Sequence, residues 1–260
     1  RAFWRRGNCR EPCGPRRGED HRWARGQSVR GLFSTCRKDN PCAGRIIFVP
    51  MRDYRIRIPR WLQWLYPSRI WRIPTQEKIL YLTFDDGPHP EITPFVLEQL
   101  DLYGAKAHFF CIGANVDRFP EMYQRILEKG HRVGNHTQQH VNGWETPDDE
   151  YLREVTEAQK RIASNWFRPP YGRVRSRQVR LLKKQFPQLR IAMWEVLSLD
   201  FDQTKSGEWC AEQVIKNARP GSIVVLHDSA KAWDRLQICL PLILKKFNEL
   251  GYRFEALPRL

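Results

Sequence analysis

From Lys78 onward, short apolar runs alternate with longer segments in which apolar residues recur every three or four positions. The short runs have the length of buried strands, and the longer segments have the periodicity of helices that pack on one side. The predicted strands are, in chain order, ILYLTF, AHFFCIG, HRVGNH, RIAMWEV, SIVVLH and YRFEAL. The predicted helices are TPFVLEQLDLYG, FPEMYQRILEKG, TPDDEYLREVTEAQKRIAS, EWCAEQVIKNA and RLQICLPLILKKFNEL. Alternation of this kind predicts a parallel sheet with outer helices, and hence an α/β fold, either open or closed into a barrel.

Composition changes near residue 50. Residues 1–50 are rich in Arg, Gly and Pro and have no sustained periodicity, a composition that buries little apolar surface. The first methionine is Met51. We therefore expect residues 1–50 to be a disordered tail or a non-native upstream segment, residues 51–77 to be a lead-in, and residues 78–260 to form the main domain.

The net charge of +15 suggests an anionic partner such as nucleic acid. However, residues 1–50 carry 12 Lys and Arg against 4 Asp and Glu, whereas the other 210 residues carry 32 against 25. No aromatic or helical pattern organises the charges of the first segment. We therefore expect no nucleic-acid partner. The alternative, a basic protein that binds nucleic acid, is supported by the net charge alone.

The lead-in contains IRIPRWLQWLYPSRIWRIP, residues 56–74, which mixes Trp with Arg. One interpretation places it at a membrane interface. We favour another, a proline-broken segment that packs its three Trp residues against the domain. The whole chain has no apolar run long enough to cross a bilayer, so we expect no transmembrane segment.

Cysteine usage shows the same change near residue 50. Four of the seven cysteines precede Met51, with spacings that match neither a disulfide framework nor a zinc template. Cys111, Cys210 and Cys239 are scattered and are expected to be buried thiols. Neither Arg1 nor Met51 is followed by the apolar stretch of a signal peptide.

Candidate chemistry follows the predicted strands. In parallel α/β barrels, side chains at the carboxyl ends of strands meet at one rim. Acids and imidazoles stand at four such ends: Asp85 and Asp86, His136 and His140, Asp200, and His227 with Asp228. The pattern therefore predicts one site at this rim.

Within this set, HTQQH spaces His136 and His140 so that both rings lie on one side of a helical turn. Two imidazoles and one of the two adjacent carboxylates make a three-ligand site for Zn²⁺ or a related divalent metal. The cation would also offset the repulsion between Asp85 and Asp86, one binding it and the other staying free as a base. The alternatives are a solvated turn, an exposed histidine pair and, for His227, a core histidine.

Five motifs in order resemble the polysaccharide deacetylase family, the NodB-homology domain of carbohydrate esterase family four. They are TFDDG (83–87), HTQQH (136–140), RPPYG (168–172), the aspartate that follows MWEVLSL, and VLH (225–227). Together they span Lys78 to about Tyr252. The resemblance implies a distorted (β/α) barrel for residues 78–260 and a catalytic domain that acts on an acetylated glycan.

The resemblance also implies roles for individual residues. Asp86, His136 and His140 would hold a divalent metal. Zn²⁺ is the first candidate, and Co²⁺ and Ni²⁺ are the alternatives. Asp85 would be the general base that takes a proton from the attacking water. Arg168 would pair with Asp85 and keep it ionised.

On the opposite side of the reaction, the resemblance assigns an acid and an oxyanion donor. His227 would protonate the departing amine as general acid, and Asp200 would orient His227 and favour its charged form. The backbone N–H of Tyr171 would stabilise the oxyanion. No residue is singled out for binding the sugar.

The fourth motif departs from the family pattern Asp-x-x-Asp-Trp. Leu197 stands at the first acid and Phe201 at the Trp, while Asp200 is kept. Val225 replaces Leu in the fifth motif. Because Asp200 is kept, its implied role of orienting His227 and favouring the charged ring still stands. The changes at the other positions put the wall of the substrate groove, and hence the substrate preference, in question.

The leading hypothesis is therefore a metal-dependent hydrolase that removes N-acetyl groups from acetylated amino sugars. The alternatives are an O-deacetylase acting on a xylan-like glycan and a catalytically weak carbohydrate-binding protein. In the absence of an export signal the default location is the cytoplasm, whereas a glycan substrate favours the cell envelope. Oligomeric state does not follow from the sequence.

Overall fold

Nine parallel strands form one curled sheet in the computed structural model, which describes residues 56–259. The strands are β1 (Arg69–Ile70), β2 (Ile79–Asp85), β3 (His108–Cys111), β4 (Arg132–Asn135), β5 (Trp166–Phe167), β6 (Arg190–Ala192), β7 (Val196–Leu197), β8 (Ile223–His227) and β9 (Arg253–Phe254). Their order across the sheet is β1-β6-β5-β4-β3-β2-β8-β7, and β9 pairs with β2. This is the predicted α/β fold, in the form of a distorted, incomplete barrel.

Helices connect the strands and cover the outside of the sheet. They are α1 (Arg60–Leu65), α2 (Ile92–Asp101), α3 (Gly113–Arg118), α4 (Pro120–Glu128), α5 (Asp148–Gln159), α6 (Ser176–Gln185), α7 (Gly207–Asn217) and α8 (Trp233–Glu249), and a short 3₁₀ turn spans Pro170–Gly172. Among residues 56–259, no helix combines the length and the apolar character that a membrane crossing requires.

Strand β2 lies near the centre of the sheet and is buried at all seven positions. Its even-numbered residues Leu80, Leu82 and Phe84 pack with the helices, whereas Ile79 and Tyr81 pack inside the curl of the sheet. Burial on both faces explains why the strand reads as a continuous apolar run rather than an alternating one.

The predicted strand RIAMWEV is wrong as a single element. It divides into β6 and β7 because its two parts pair with different neighbours: Met193 N–H donates to Ile70 O at 2.7 Å, and Glu195 N–H donates to Ile223 O at 3.0 Å. Sequence patterns also did not predict α3, β5 or α6. The first two are short, and α6 buries only Gln178, Val179 and Leu182 under a basic surface.

The lead-in behaves differently from the favoured interpretation. Trp71 is buried, but Trp61 and Trp64 on α1 are 59% and 80% exposed, so the prediction that all three Trp residues pack against the domain is wrong. Cys111, Cys210 and Cys239 are buried free thiols, as predicted. The predictions for residues 1–50 and for Met51 lie outside the described residues.

Candidate active site

The predicted acids and imidazoles meet at the carboxyl-terminal rim of the sheet. The register of β2 and β8 places Asp85 directly beside His227, and Asp86 follows at the end of β2. His136 follows β4, and Asp200 follows β7. Because all these strands run parallel, their carboxyl ends share one edge, and the prediction that these residues gather at one rim is confirmed.

Unusual backbone conformations are concentrated at this rim. Five non-glycine residues in the described part of the chain have a positive φ: Asp86 (78°), Thr137 (65°), His140 (58°), Tyr171 (59°) and Leu199 (61°). Each is a predicted site residue or the direct neighbour of one. Such conformations cost free energy and persist where the surrounding structure holds them, typically at functional sites.

Asp86, His136 and His140 form a compact donor cluster. Asp86 Oδ1 lies 3.1 Å from His140 Nε2 and 3.7 Å from His136 Nε2, and the three ligand atoms are all within 4.8 Å of one another. His136 Nδ1 lies 2.8 Å from Arg168 O, which accepts its proton and leaves Nε2 free as a ligand. One carboxylate and two imidazole nitrogens with open positions fit Zn²⁺, Co²⁺ or Ni²⁺.

The protonation states of these three side chains also favour binding of a metal cation. Burial lowers the pKa of His136 to about 4, so its ring is neutral near pH 7. Burial opposes ionisation of Asp86, but the hydrogen bond with His140 and the neighbouring imidazoles hold its pKa below the ordinary range. Neutral imidazole and ionised carboxylate are the forms that bind metal.

The HTQQH segment is not helical, contrary to the prediction. It is a loop in which Thr137 and His140 take left-handed conformations, and the two histidine rings nevertheless lie 5.1 Å apart, centroid to centroid. Gln139 is exposed, whereas Gln138 is half-buried and its side chain donates to Asp117 Oδ2 at 2.9 Å. The spacing therefore indicates the pair correctly, but loop geometry brings the rings together.

Asp85 is ion-paired with a fully buried arginine. Arg168 Nη1 donates to Asp85 Oδ1 at 2.6 Å and to Thr83 Oγ1 at 2.7 Å, and Arg168 Nη2 donates to Met193 O at 3.0 Å. The guanidinium carbon lies 4.1 Å from the centre of the Phe110 ring. These contacts fix the orientation of Asp85, which is itself buried.

His227 is held by Asp200 through two contacts. His227 Nδ1 lies 2.7 Å from Asp200 Oδ1, and the His227 backbone N–H donates to Asp200 Oδ2 at 2.8 Å. Ser198 Oγ donates to Asp200 Oδ1 at 2.9 Å. Burial disfavours the charged imidazole, but the Asp200 carboxylate, with Asp86 and Asp85 nearby, raises the pKa of His227 to about 9. The ring therefore carries a proton at neutral pH.

Tyr171 lies at the same rim in a strained turn. Its left-handed backbone is followed by Gly172, also left-handed, where a Cβ would lie 2.5 Å from Trp194 Cη2. The Tyr171 ring is exposed, and its centroid lies 4.7 Å from that of His140. The structure thus places Tyr171 beside the donor cluster.

Asp228 is a site residue to which the sequence analysis gave no role. Its buried carboxylate accepts from Thr93 Oγ1 at 2.6 Å, and its backbone N–H donates to Asp85 O at 3.1 Å. A Cβ on Gly87 would overlap this carboxylate, at 2.2 Å from Oδ2. Burial raises the pKa of Asp228 to about 8. The signal in the sequence was an acid beside His227 at the end of a buried strand.

Comparisons with known proteins agree with this geometry. A family model described as polysaccharide deacetylase matches residues 72–187. The chain is 34% identical over 196 residues to a peptidoglycan-N-acetylglucosamine deacetylase of Bacillus cereus, covering 73% of this chain and 91% of that protein. It is 34% identical over 205 residues to a chitooligosaccharide deacetylase of Azorhizobium caulinodans, covering 72% and 96%. The crystal structure of the Bc1960 peptidoglycan N-acetylglucosamine deacetylase matches with a TM-score of 0.70 at 29% identity, covering 75% of this chain and 94% of that chain.

Proposed function

Because the chain belongs to the polysaccharide deacetylase family, we propose that it removes N-acetyl groups from the amino sugars of an acetylated glycan with the help of a divalent metal. The reaction is hydrolysis of a carbon–nitrogen bond that is not a peptide bond. The observation that carries the proposal is the position of Asp85 and His227, side by side in the strand register and next to the donor cluster of Asp86, His136 and His140.

Asp86, His136 and His140 would hold the metal, with Zn²⁺ as the first candidate. When bound, such an ion polarises the acetamide carbonyl and makes a water molecule a better nucleophile near neutral pH. His136 Nδ1 is hydrogen-bonded to Arg168 O, so the other ring nitrogen, Nε2, is free to bind the metal.

Asp85 would act as the general base. It accepts a proton from the water whose oxygen forms a bond with the acetyl carbon. The ion pair with Arg168 holds one carboxylate oxygen, so the base is fixed in orientation and cannot rotate away from the attacking water. The backbone N–H of Tyr171 would donate to the carbonyl oxygen as negative charge develops there.

His227 would complete the reaction as general acid. As the carbon–nitrogen bond breaks, it gives its proton to the nitrogen, so the products are acetate and a free amino sugar. The raised pKa of His227, about 9, keeps this proton in place before the reaction, and Asp200 fixes the ring.

Amino sugars are the proposed substrate because the relatives are named for them. One is a peptidoglycan-N-acetylglucosamine deacetylase and another a chitooligosaccharide deacetylase. The O-deacetylation of a xylan-like glycan uses the same residues and is the competing outcome.

Acetate release tests the proposal directly. The metal-replete protein is incubated with N-acetylglucosamine oligomers, with peptidoglycan fragments and with acetylated xylan, before and after chelator treatment and after adding back Zn²⁺, Co²⁺ or Ni²⁺. We expect release from the amino-sugar substrates that chelation abolishes and metal restores. Release from xylan alone would refute the substrate class, and chelator-resistant release would refute the metal requirement.

A further inference from the structure

Helix α1 presents its apolar side to solvent. Trp61, Trp64 and Leu65 are 59%, 80% and 55% exposed, while Leu62 is half-buried. Positions i, i+3 and i+4 lie on one side of a helix, so these three residues, the α1 stripe, form a continuous apolar surface. A helix on a domain normally turns such a stripe toward the core, and α1 does the reverse.

The α1 helix is held in this orientation from both ends. Before it, Ile58 N–H donates to Glu195 O at 3.0 Å. After it, the Arg69 guanidinium carbon lies 4.2 Å from the centre of the Tyr66 ring, and Tyr66 packs against the buried residues under α5 and α6. The stripe is therefore presented by a supported helix.

Basic side chains lie beside the residue that follows the α1 stripe, Tyr66. A cavity of about 300 Å³ separates the end of α1 from α6, and its lining includes Arg69, Arg180 and Lys183. Helix α6 contains no acidic residue, and Arg180, Lys183 and Lys184 on its exposed side make no ion pair with any described residue. Tyr66, which directly follows Leu65, lines this cavity with Arg180 and Lys183, so the α1 stripe ends next to a positively charged surface.

Helix α1 lies at the end of the sheet opposite the candidate active site. The antiparallel bridge Arg57↔Val196 leads the chain toward the amino-terminal end of β7, and α1 then precedes β1, which is parallel to the other strands. Docking through α1 would therefore leave the catalytic rim facing away from the bound surface.

We propose that the α1 stripe and the basic side of α6 dock the protein on an anionic lipid bilayer. Trp61, Trp64 and Leu65 enter the boundary between headgroups and acyl chains, and Arg180 and Lys183 contact lipid phosphates. Trp and Leu next to Lys and Arg are the composition of peripheral membrane-binding helices. The proposal is independent of the metal chemistry at the opposite rim.

Vesicle binding of the full chain tests the proposal. Cosedimentation is measured with vesicles of phosphatidylglycerol and phosphatidylcholine in equal parts and with phosphatidylcholine alone, and brominated lipids report Trp insertion by quenching. We expect binding to the anionic vesicles, with a loss of about tenfold in the Trp61→Ala/Trp64→Ala variant and a similar loss in Arg180→Glu/Lys183→Glu.

Matched controls separate this surface from general charge and aromatic effects. Trp144→Ala removes another exposed Trp, and Lys245→Glu/Lys246→Glu makes the same charge change on α8. Both controls should bind and quench like the wild type, and all variants should keep its melting temperature.

Three results would overturn the proposal. The wild type could fail to prefer anionic vesicles. The Trp61→Ala/Trp64→Ala variant could bind and quench as the wild type does, which would assign binding to the basic residues that precede α1. In a third outcome, the wild type would not bind vesicles, sedimentation equilibrium would show that it is a dimer, and the Trp61→Ala/Trp64→Ala variant would be a monomer. That result would assign the stripe to contact with a second copy of the chain.

Discussion

Replacing Asp200 with Asn removes the charge that keeps His227 protonated. The wild-type pKa is about 9 against an ordinary 6.5, and at 1.36 kcal/mol per pKa unit this difference corresponds to about 3 kcal/mol. Burial opposes the charged ring, and Asp200 is the foremost of the groups that favour it. We therefore expect the His227 pKa to fall by about two units in Asp200→Asn.

The consequences differ with pH. At pH 8 the charged fraction of His227 should fall from about nine-tenths to about one-tenth. Because the wild-type pKa is raised on folding, His227 contributes stability that is complete below about pH 6.5 and is lost as the pH rises through about 9. The variant should accordingly lose about 3 kcal/mol of unfolding free energy at pH 6 and much less at pH 10.

Histidine NMR titration of the metal-free protein measures the pKa, with His227→Gln identifying the resonance, and urea denaturation measures stability. Ser198→Ala is the matched control, because it removes the hydroxyl that donates to Asp200 Oδ1 at 2.9 Å and leaves the charge in place. It should move the His227 pKa by less than about half a unit. A change below about one unit in Asp200→Asn would refute the assignment of Asp200 as the principal group.

Four further predictions concern other residues. Asp85→Asn should lower turnover by about a hundredfold or more while elemental analysis still finds metal bound, and undiminished turnover would exclude it as the base. His136→Ala should weaken metal affinity in a chelator competition at least tenfold, whereas wild-type affinity would remove it from the ligand set. Thr93→Val should lower the unfolding free energy by about 1–2 kcal/mol because the buried Asp228 carboxyl group loses the hydrogen bond from Thr93 Oγ1, and Thr93→Ser should restore it. Burial lowers the pKa of His131 to about 4, so stability should fall by about 1–3 kcal/mol as the pH drops from 6.5 through 4, and acid titration of His131→Asn should show a smaller loss.

The sequence located most of the candidate site because its residues stand in motifs at strand ends. Asp85, Asp86 and His227 follow apolar runs that are buried on both faces, and such runs leave little choice of secondary structure. Asp228 also follows a buried apolar run, so its position could be recognised from the sequence. Its role could not be predicted, because its hydrogen-bond partner Thr93 lies 135 positions away in the chain. Pairings of this range have no local signal.

The sequence by itself determined the alternation of strands and helices, and with it the edge of the sheet where the polar residues gather. This follows from local patterning, because the carboxyl ends of parallel strands share one edge whatever the details of packing. Tertiary structure decided the rest. It brought His136 and His140 together through left-handed loop residues, divided RIAMWEV between two sets of neighbours, and turned Trp61 and Trp64 outward. Each of these outcomes depends on contacts between residues distant in the chain, and a local pattern cannot specify which distant surface will be present to cover a side chain or accept a hydrogen bond.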